Sequence, residues 1–297
     1  MIFGLRRLIV AAALSVLTGT APGARAGDLL TVDSGRLLAT SGITQLEGAA
    51  GGGLAPWAVI SGYGTRDSVG AAVSGTAVRV SNYTLGSFGA AIGLYDRVEL
   101  SYARHLFDTR STGAVLGLGR GFTFRQDVLG AKVRLFGDAV NDQDTLLPQV
   151  AVGVQYKLND RHDVLRAIGA KGSQGVDFYA AATKLFLAES LLLNATVRLT
   201  KANQLGILGY GGDRSNGYRP QFESSAAVLL SRHVSVGAEY RTKPNNLRFA
   251  RESDWYDLFV AWFPTKNVAA TLAYVDLGSI AGRKNQAGFY TNLQVGF

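Results

Sequence analysis

The sequence predicts an all-β fold: a single-chain antiparallel transmembrane β-barrel of about twelve strands, with fourteen as the alternative. Three observations predict it. Apolar residues recur with period two from Trp57 onward, which is the period of a strand. The connections between these runs are alternately tight and long, as periplasmic turns and outer loops are in bacterial barrels. Aromatic residues gather near the ends of the runs, where an amphipathic ring suits a membrane interface.

The N-terminus reads as an address. Arg6 and Arg7 form a positive n-region, residues 8–17 an apolar h-region, and Ala24-Arg25-Ala26 a small-x-small cleavage site. The order of these parts predicts a signal peptide over residues 1–26 for general secretion, and the apolar stretch is too short to remain as an anchor. Residues 27–297 then form the barrel. Within them, 27–56 is expected to be a non-barrel lead segment, periplasmic or luminal, unless 36–47 supplies the first strand.

Composition narrows the function classes. Charged residues make up 18% of the chain, glycine contributes 37 residues and cysteine none. The absence of cysteine excludes disulfides, thiolate chemistry and cysteine-based metal sites, and suits passage through an oxidising periplasm. The three histidines stand far apart at 105, 162 and 233, so neither a metal centre nor any cofactor is expected. Cleavage after residue 26 removes three arginines and no acid, which takes the formal net charge from +8 to +5. That excess is a weak argument for nucleic-acid binding, and none is expected.

The strands follow in order. In 146–157, Val150, Val152, Val154 and Tyr156 oppose Gln149, Gly153, Gln155 and Lys157. In 191–200, Leu191, Leu193, Ala195, Val197 and Leu199 oppose Leu192, Asn194, Thr196, Arg198 and Thr200. Val234, Val236, Ala238 and Tyr240 oppose Ser235, Gly237, Glu239 and Arg241. Tyr256, Leu258, Val260 and Trp262 come next, then Val268, Ala270, Leu272 and Tyr274. Residues 95–97, 231–233 and 264–267 read as tight turns, whereas 159–174, 202–219 and 242–253 read as long loops. Tyr240, Tyr256 and Trp262 are candidates for the interface girdle. At the C-terminus Phe289, Leu293, Val295 and Phe297 share a face. That ending resembles the signal read by the outer-membrane barrel assembly machinery, which is therefore an expected partner along with outer-membrane lipid.

Two further stretches carry a family likeness: Gly48-Ala49-Ala50-Gly51-Gly52-Gly53-Leu54-Ala55-Pro56-Trp57 running to Gly62-Tyr63-Gly64, and residues 93–104, Gly-Leu-Tyr-Asp-Arg-Val-Glu-Leu-Ser-Tyr-Ala-Arg. They resemble a proteobacterial family of outer-membrane proteins known as domain of unknown function 3034. The likeness implies a bacterial outer-membrane location and brings no catalytic motif with it.

Motifs for chemistry are thin. The glycine cluster at 48–53 lacks the Lys-Ser/Thr of a phosphate loop, and Gly117, Gly119 and Gly121 miss the dinucleotide spacing. Asp213-Arg214-Ser215-Asn216-Gly217 approaches the His-x-Ser-Asn-Gly-like pattern of membrane lipid hydrolases, with Asp213 where the histidine base should stand. A carboxylate is a poor base for a serine hydroxyl, so an enzyme is not expected. The face opposite the lipid stripes is more informative. It places Lys132, Arg134, Lys157, Lys184, Arg198 and Arg241 inward against Glu99, Glu239 and Asp257, as candidate pore-lining residues. A passive porin-like channel for small hydrophilic solutes, with anion preference, is the leading expectation. The alternatives are a closed structural or binding barrel and, less favoured, a hydrolase acting through Ser215. A twelve-stranded lumen is wide enough for a chain segment to fold into it, and 36–56 and 202–219 are the two that have the length.

Overall fold

The computed structural model describes residues 42–297, so the expected signal peptide and residues 27–41 lie outside the described residues. Two short strands come first, β1 (Ile43–Thr44) and β2 (Ala50–Gly51), paired as a small hairpin. Twelve longer strands follow: β3 (Val69–Val80), β4 (Thr84–Leu94), β5 (Val98–Asp108), β6 (Thr123–Phe136), β7 (Gln149–Asn159), β8 (Gln174–Phe186), β9 (Leu191–Thr200), β10 (Arg219–Ser231), β11 (Val234–Arg241), β12 (Trp255–Trp262), β13 (Val268–Asp276) and β14 (Ala287–Gly296). Each pairs antiparallel with its neighbours in sequence, and β14 returns to β3 through pairs from Gly288↔Val80 to Gly296↔Ala72. The sheet is closed. Closure leaves no edge, so every strand can satisfy its backbone inside lipid.

The period-two pattern becomes two surfaces. In β12 the buried residues are Trp255, Asp257, Phe259 and Ala261, and the exposed ones are Tyr256, Leu258, Val260 and Trp262. In β9, Leu193, Ala195, Val197 and Leu199 face outward while Asn194, Thr196, Arg198 and Thr200 are buried. The outer face thus carries Val73, Phe88, Leu100, Leu258, Leu272 and Leu293 in the open. Such a continuous apolar surface is a liability in water and the normal state of a barrel in lipid.

One end of the barrel bears connections 81–83, 109–122, 160–173, 201–218, 242–254 and 277–286; the other bears 95–97, 137–148, 187–190, 232–233 and 263–267. The expected long loops fall together at the first end and the expected tight turns at the second. Two connections break the rule. Residues 81–83 are short at the loop end. At the turn end, 137–148 is long and delays β7 to Gln149, three residues beyond the expected start of that run at Leu146. The ends also differ in charge: twelve Lys and Arg against five Asp and Glu in the loop-end connections, but three against five at the turn end.

Eight strands make a barrel that side chains can fill, and twelve leave a gap. Here residues 42–63 fill it, every one of them buried. The luminal alternative for the lead segment therefore holds for its described part, and no residue from 42 to 47 is a barrel strand.

Candidate functional site

The lumen is the site, and it is stoppered from within. Segment 42–63 runs beside the wall from Gly42, whose carbonyl accepts from Gln294 Nε2 at 3.4 Å, and leaves toward the start of β3, where Gly62 lies against Gly70 and Ala71. Only its first strand pair is regular. Irregular backbone at membrane depth is stable only where protein groups satisfy it, and here wall side chains do so. Glu99 accepts from the N–H groups of Ala50 (3.2 Å) and Ser61 (2.9 Å). Glu239 accepts from Leu54 N at 2.6 Å. Lys132 donates to the carbonyls of Ala50 and Trp57, both at 3.1 Å, and Thr196 donates to that of Pro56 at 2.8 Å. Ala58 is held at both ends, its N–H by Thr183 at 2.8 Å and its carbonyl by Gln149 at 2.7 Å.

The glycine cluster is explained by this contact. A Cβ on Gly52 would collide with the Glu239 carboxylate, and Gly48 adopts φ +95° while its Cα side faces Tyr102 O and Ala103. Both positions need a residue without a side chain. Close approach, not anion binding, is what these glycines serve.

Glu47 is the one charged residue between Arg36 and Arg66, and it is fully buried. Lys157 pairs with it and with Asp177 (2.5 Å). Arg198 reaches Glu47 at 3.4 Å, Asp177 at 3.6 Å and Glu223 at 2.5 Å. Arg241 reaches Glu47 at 3.0 Å and Glu223 at 3.2 Å. Three cations meet three carboxylates, and one of the three carboxylates comes from the stopper. Buried ions are tolerable only when paired and hydrogen-bonded in this way. All three acids, Glu47, Asp177 and Glu223, escape a reading of the sequence. A lone acid in an alanine- and glycine-rich stretch was the available signal for Glu47.

Of the expected pore-lining residues, Lys132, Arg134, Lys157, Arg198, Glu239 and Arg241 do lie on the inward register and are buried. Lys132 pairs with Glu99 at 3.1 Å. Arg134 sits at the turn-end mouth, bound to Asp96, to Gly137 O and to Asp138 (3.4 Å). Asp138 belongs to the 137–148 connection. Partial burial alone would raise its pKa, but N–H groups of Asn141 and Val140 and the nearby Arg134 hold it down to about 2. Lys184 is a correction. It lies on the outward register of β8, opposite the exposed Leu193, and its ammonium folds under the 137–148 connection to the carbonyls of Asp142 and Leu147. A long stem at a strand end can bend to the nearest acceptors, and here those are outside the lumen.

The loop end is closed as well. Residues 202–212 are buried, with Leu205 O accepting from Gln126 (2.9 Å) and Ile207 O from Asn159 (3.0 Å). Gln204 N donates to Glu252 at 2.9 Å, and Lys243 pairs with Glu252 at 3.0 Å while lying 3.9 Å over the Trp255 ring. Burial drags the Lys243 pKa down to about 8, against the pull of Glu252, and raises that of Glu252. Of the two segments expected to be able to close the lumen, residues 42–56 of the first, its described part, and residues 202–212 of the second are buried in this way.

The opposite wall is different. A cavity near the turn end is lined by Trp57, Leu229, Phe259, Phe263 and Ala273, with Asp257, Thr271 and Tyr290 at its inner side. Asp257 Oδ1, Thr271 Oγ1 and Tyr290 OH have no hydrogen-bond partner among the described residues. Elsewhere, Tyr240, Tyr256, Trp262 and Phe289 all point outward. Tyr256 OH donates to Asp276 at 2.7 Å and Tyr240 OH to Asp254 at 2.5 Å, toward the loop end, whereas Trp262 stands at the turn end. Phe297 follows β14. Ser215 Oγ accepts from Arg219 Nε and Nη2 (3.3 and 3.2 Å), and Asp213 accepts from Arg248 N at 2.9 Å.

The chain is similar in shape to several solved barrels. The NanC porin superposes with a TM-score of 0.48 at 11% identity, covering 76% of this chain and 98% of that one. The COG4313 outer membrane channel from Pseudomonas putida F1 gives 0.46 at 13%, covering 80% and 95%. Outer membrane phospholipase A from Escherichia coli gives 0.42 at 10%, covering 80% and 93%. Likeness at this level transfers neither solute nor chemistry. No curated protein matches the chain. The family described as "Protein of unknown function (DUF3034)" matches residues 40–294, a span that runs from before the stopper into the last barrel strand, and the chain belongs to that family.

Proposed function

We propose that this protein is a bacterial outer-membrane barrel on the porin plan that is held closed by its own segment 42–63. The apolar outer face and the outward aromatics support a membrane setting. The split between long basic loops and shorter acidic turns supports loops outside and turns in the periplasm, reached by secretion of the 1–26 leader and delivery to the barrel assembly machinery. Tyr240, Tyr256 and Trp262 would then anchor the interface, and Phe289 and Phe297 would belong to the assembly signal.

The observation that carries the closed reading is Glu47, buried in a neutral cluster with Lys157, Arg198 and Arg241. An open pore exposes its charged lining to water, whereas here the lining is spent on the stopper. Passive flow of small hydrophilic solutes belongs to a state in which that segment has left. Lys132 would stay paired with Glu99, and Arg134 with Asp96 and Asp138. Lys157, Arg198 and Arg241 would face only Asp177 and Glu223, and that local excess of one cation would bias the open state toward anions. A catalytic role draws no support from Ser215. Its hydroxyl accepts from Arg219, and among the described residues no carboxylate or imidazole accepts from it as a general base would.

Planar-bilayer recording of the refolded chain tests this. The native protein should be electrically silent, and Glu47→Ala should produce openings with an anion-biased reversal potential. Steady openings of the native protein would overturn the closed reading.

A further inference from the structure

The loop end carries a second concavity, unrelated to the stopper. A cavity of about 680 Å³ opens among the loops and is lined by Phe107, Leu118, Phe124, Ile168, Leu208 and Phe249. Its size falls in the range of small-molecule sites. Its lining exposes Leu116 and Phe249 on the loops, with Val115 exposed beside Leu116. Large apolar side chains held open on loops mark a contact surface more often than a packing remnant.

The charges around it give the occupant. Arg120, Arg166, Arg248 and Arg283 stand one or two residues from lining positions Leu118, Ala167, Phe249 and Ala281. Among the described residues none of the four has a carboxylate partner within ion-pair distance. Two acids also line the cavity. Asp213 is already engaged by the N–H of Arg248, and Asp163 lies in the first turn of the short helix His162–Ala167. The loop end as a whole holds twelve basic against five acidic residues. An apolar basin set among predominantly basic loops matches a molecule with a hydrocarbon body and a negative head.

We infer that this basin binds an anionic amphiphile, with an acyl chain against Phe107, Phe124 and Phe249 and a carboxylate or phosphate head at the arginines. Arginine's planar fork suits either head. A free fatty acid and a phosphorylated membrane lipid share this chemistry, and the test below separates them.

The refolded full chain, in a neutral detergent, is mixed with dodecanoate, dodecyl phosphate or dodecyltrimethylammonium, and bound copies are counted by native mass spectrometry. The anionic probes should bind one per barrel, and the cationic probe at least about tenfold more weakly. Preference for phosphate over carboxylate points to a lipid headgroup, and the reverse to a free fatty acid. The exposed substitution Phe249→Asp should abolish binding, and Arg166→Gln with Arg248→Gln should weaken it about tenfold. Both leave barrel packing intact, which heat-modifiable gel mobility confirms. Equal binding of cationic and anionic probes, or undiminished binding by a folded Phe249→Asp variant, would overturn the inference.

Discussion

The two sides of the lumen hold the same segment by different means. Strands β7 to β11 grip it with charge: Lys157, Arg198 and Arg241 converge on Glu47, and Glu239 takes its backbone N–H at Leu54. Strands β12 to β14 offer Phe259, Ala261, Ala273 and Tyr290, together with the open cavity beside Trp57. Among the described residues the first side leaves Gln155 Nε2 without a partner, and the second leaves Trp255 Nε1, Asp257 Oδ1, Thr271 Oγ1, Tyr290 OH and Asn292 Oδ1 without one. The stopper is therefore fastened by ion pairs to one wall, and on the other Gln294 holds Gly42 O and Thr44 Oγ1 by neutral hydrogen bonds. Any release should begin on the cavity side, where few hydrogen bonds must break.

The largest test of that asymmetry is at Glu47. Replacing it by alanine leaves Lys157, Arg198 and Arg241 facing only Asp177 and Glu223, so one buried cation loses its counter-charge. Breaking a buried pair in this way costs about 3–5 kcal/mol. The thermal unfolding midpoint of the refolded barrel should fall sharply. An unchanged midpoint would show that the charged side does not hold the stopper.

Trp57→Ala probes the cavity that lies between the two sides. The indole fills the cavity edge, and its Nε1 donates to Ser225 at 2.9 Å. Truncating a buried tryptophan costs about 3–5 kcal/mol in a tight core. A site already next to empty space should sit at about the lower figure. The same midpoint measurement checks it, and a loss exceeding that of Glu47→Ala would show that packing at the cavity holds the stopper more firmly than the charges do.

How much of this could be read from the sequence follows from who touches whom. Lipid contact imposes period two directly, so the barrel, the outward Leu258 and Leu272, and the inward Arg198 were legible from neighbours in the chain. The stopper was legible only as a possibility of length. The partner of Lys157 lies 110 residues away and that of Arg241 lies 194 away, so no local pattern couples them. Lys184 was misplaced because β8 was given the wrong face: Asp177, Tyr179, Ala181 and Thr183 point inward, which puts Lys184 on the outward register, and a shift of one residue swaps every side chain of a strand.

At the turn-end mouth, Asp138 ties that connection to Arg134 and to its own backbone. Its folded pKa of about 2 lies below the ordinary 3.8. Its contribution is thus complete above about pH 4 and is lost as pH falls through 2. Because the group is half exposed, Asp138→Asn should cost well under about 1 kcal/mol. Amide exchange in 137–148 should quicken in the native protein between pH 4 and 2, and be insensitive to pH there in the variant beyond the intrinsic rate.

The smallest effect belongs to Asp257. It faces Glu239 across the β11–β12 pair, directly in register, so two carboxyl groups share one face with no cation paired to either among the described residues. Like charges placed opposite each other in a sheet are destabilising. Its Oδ1 forms no hydrogen bond that a substitution could break. Asp257→Asn should therefore leave the midpoint unchanged or raise it by the equivalent of about 1 kcal/mol. A clear fall would mean that a cation or a shared proton between the two carboxyl groups fastens this side too, and the contrast between the two walls would close.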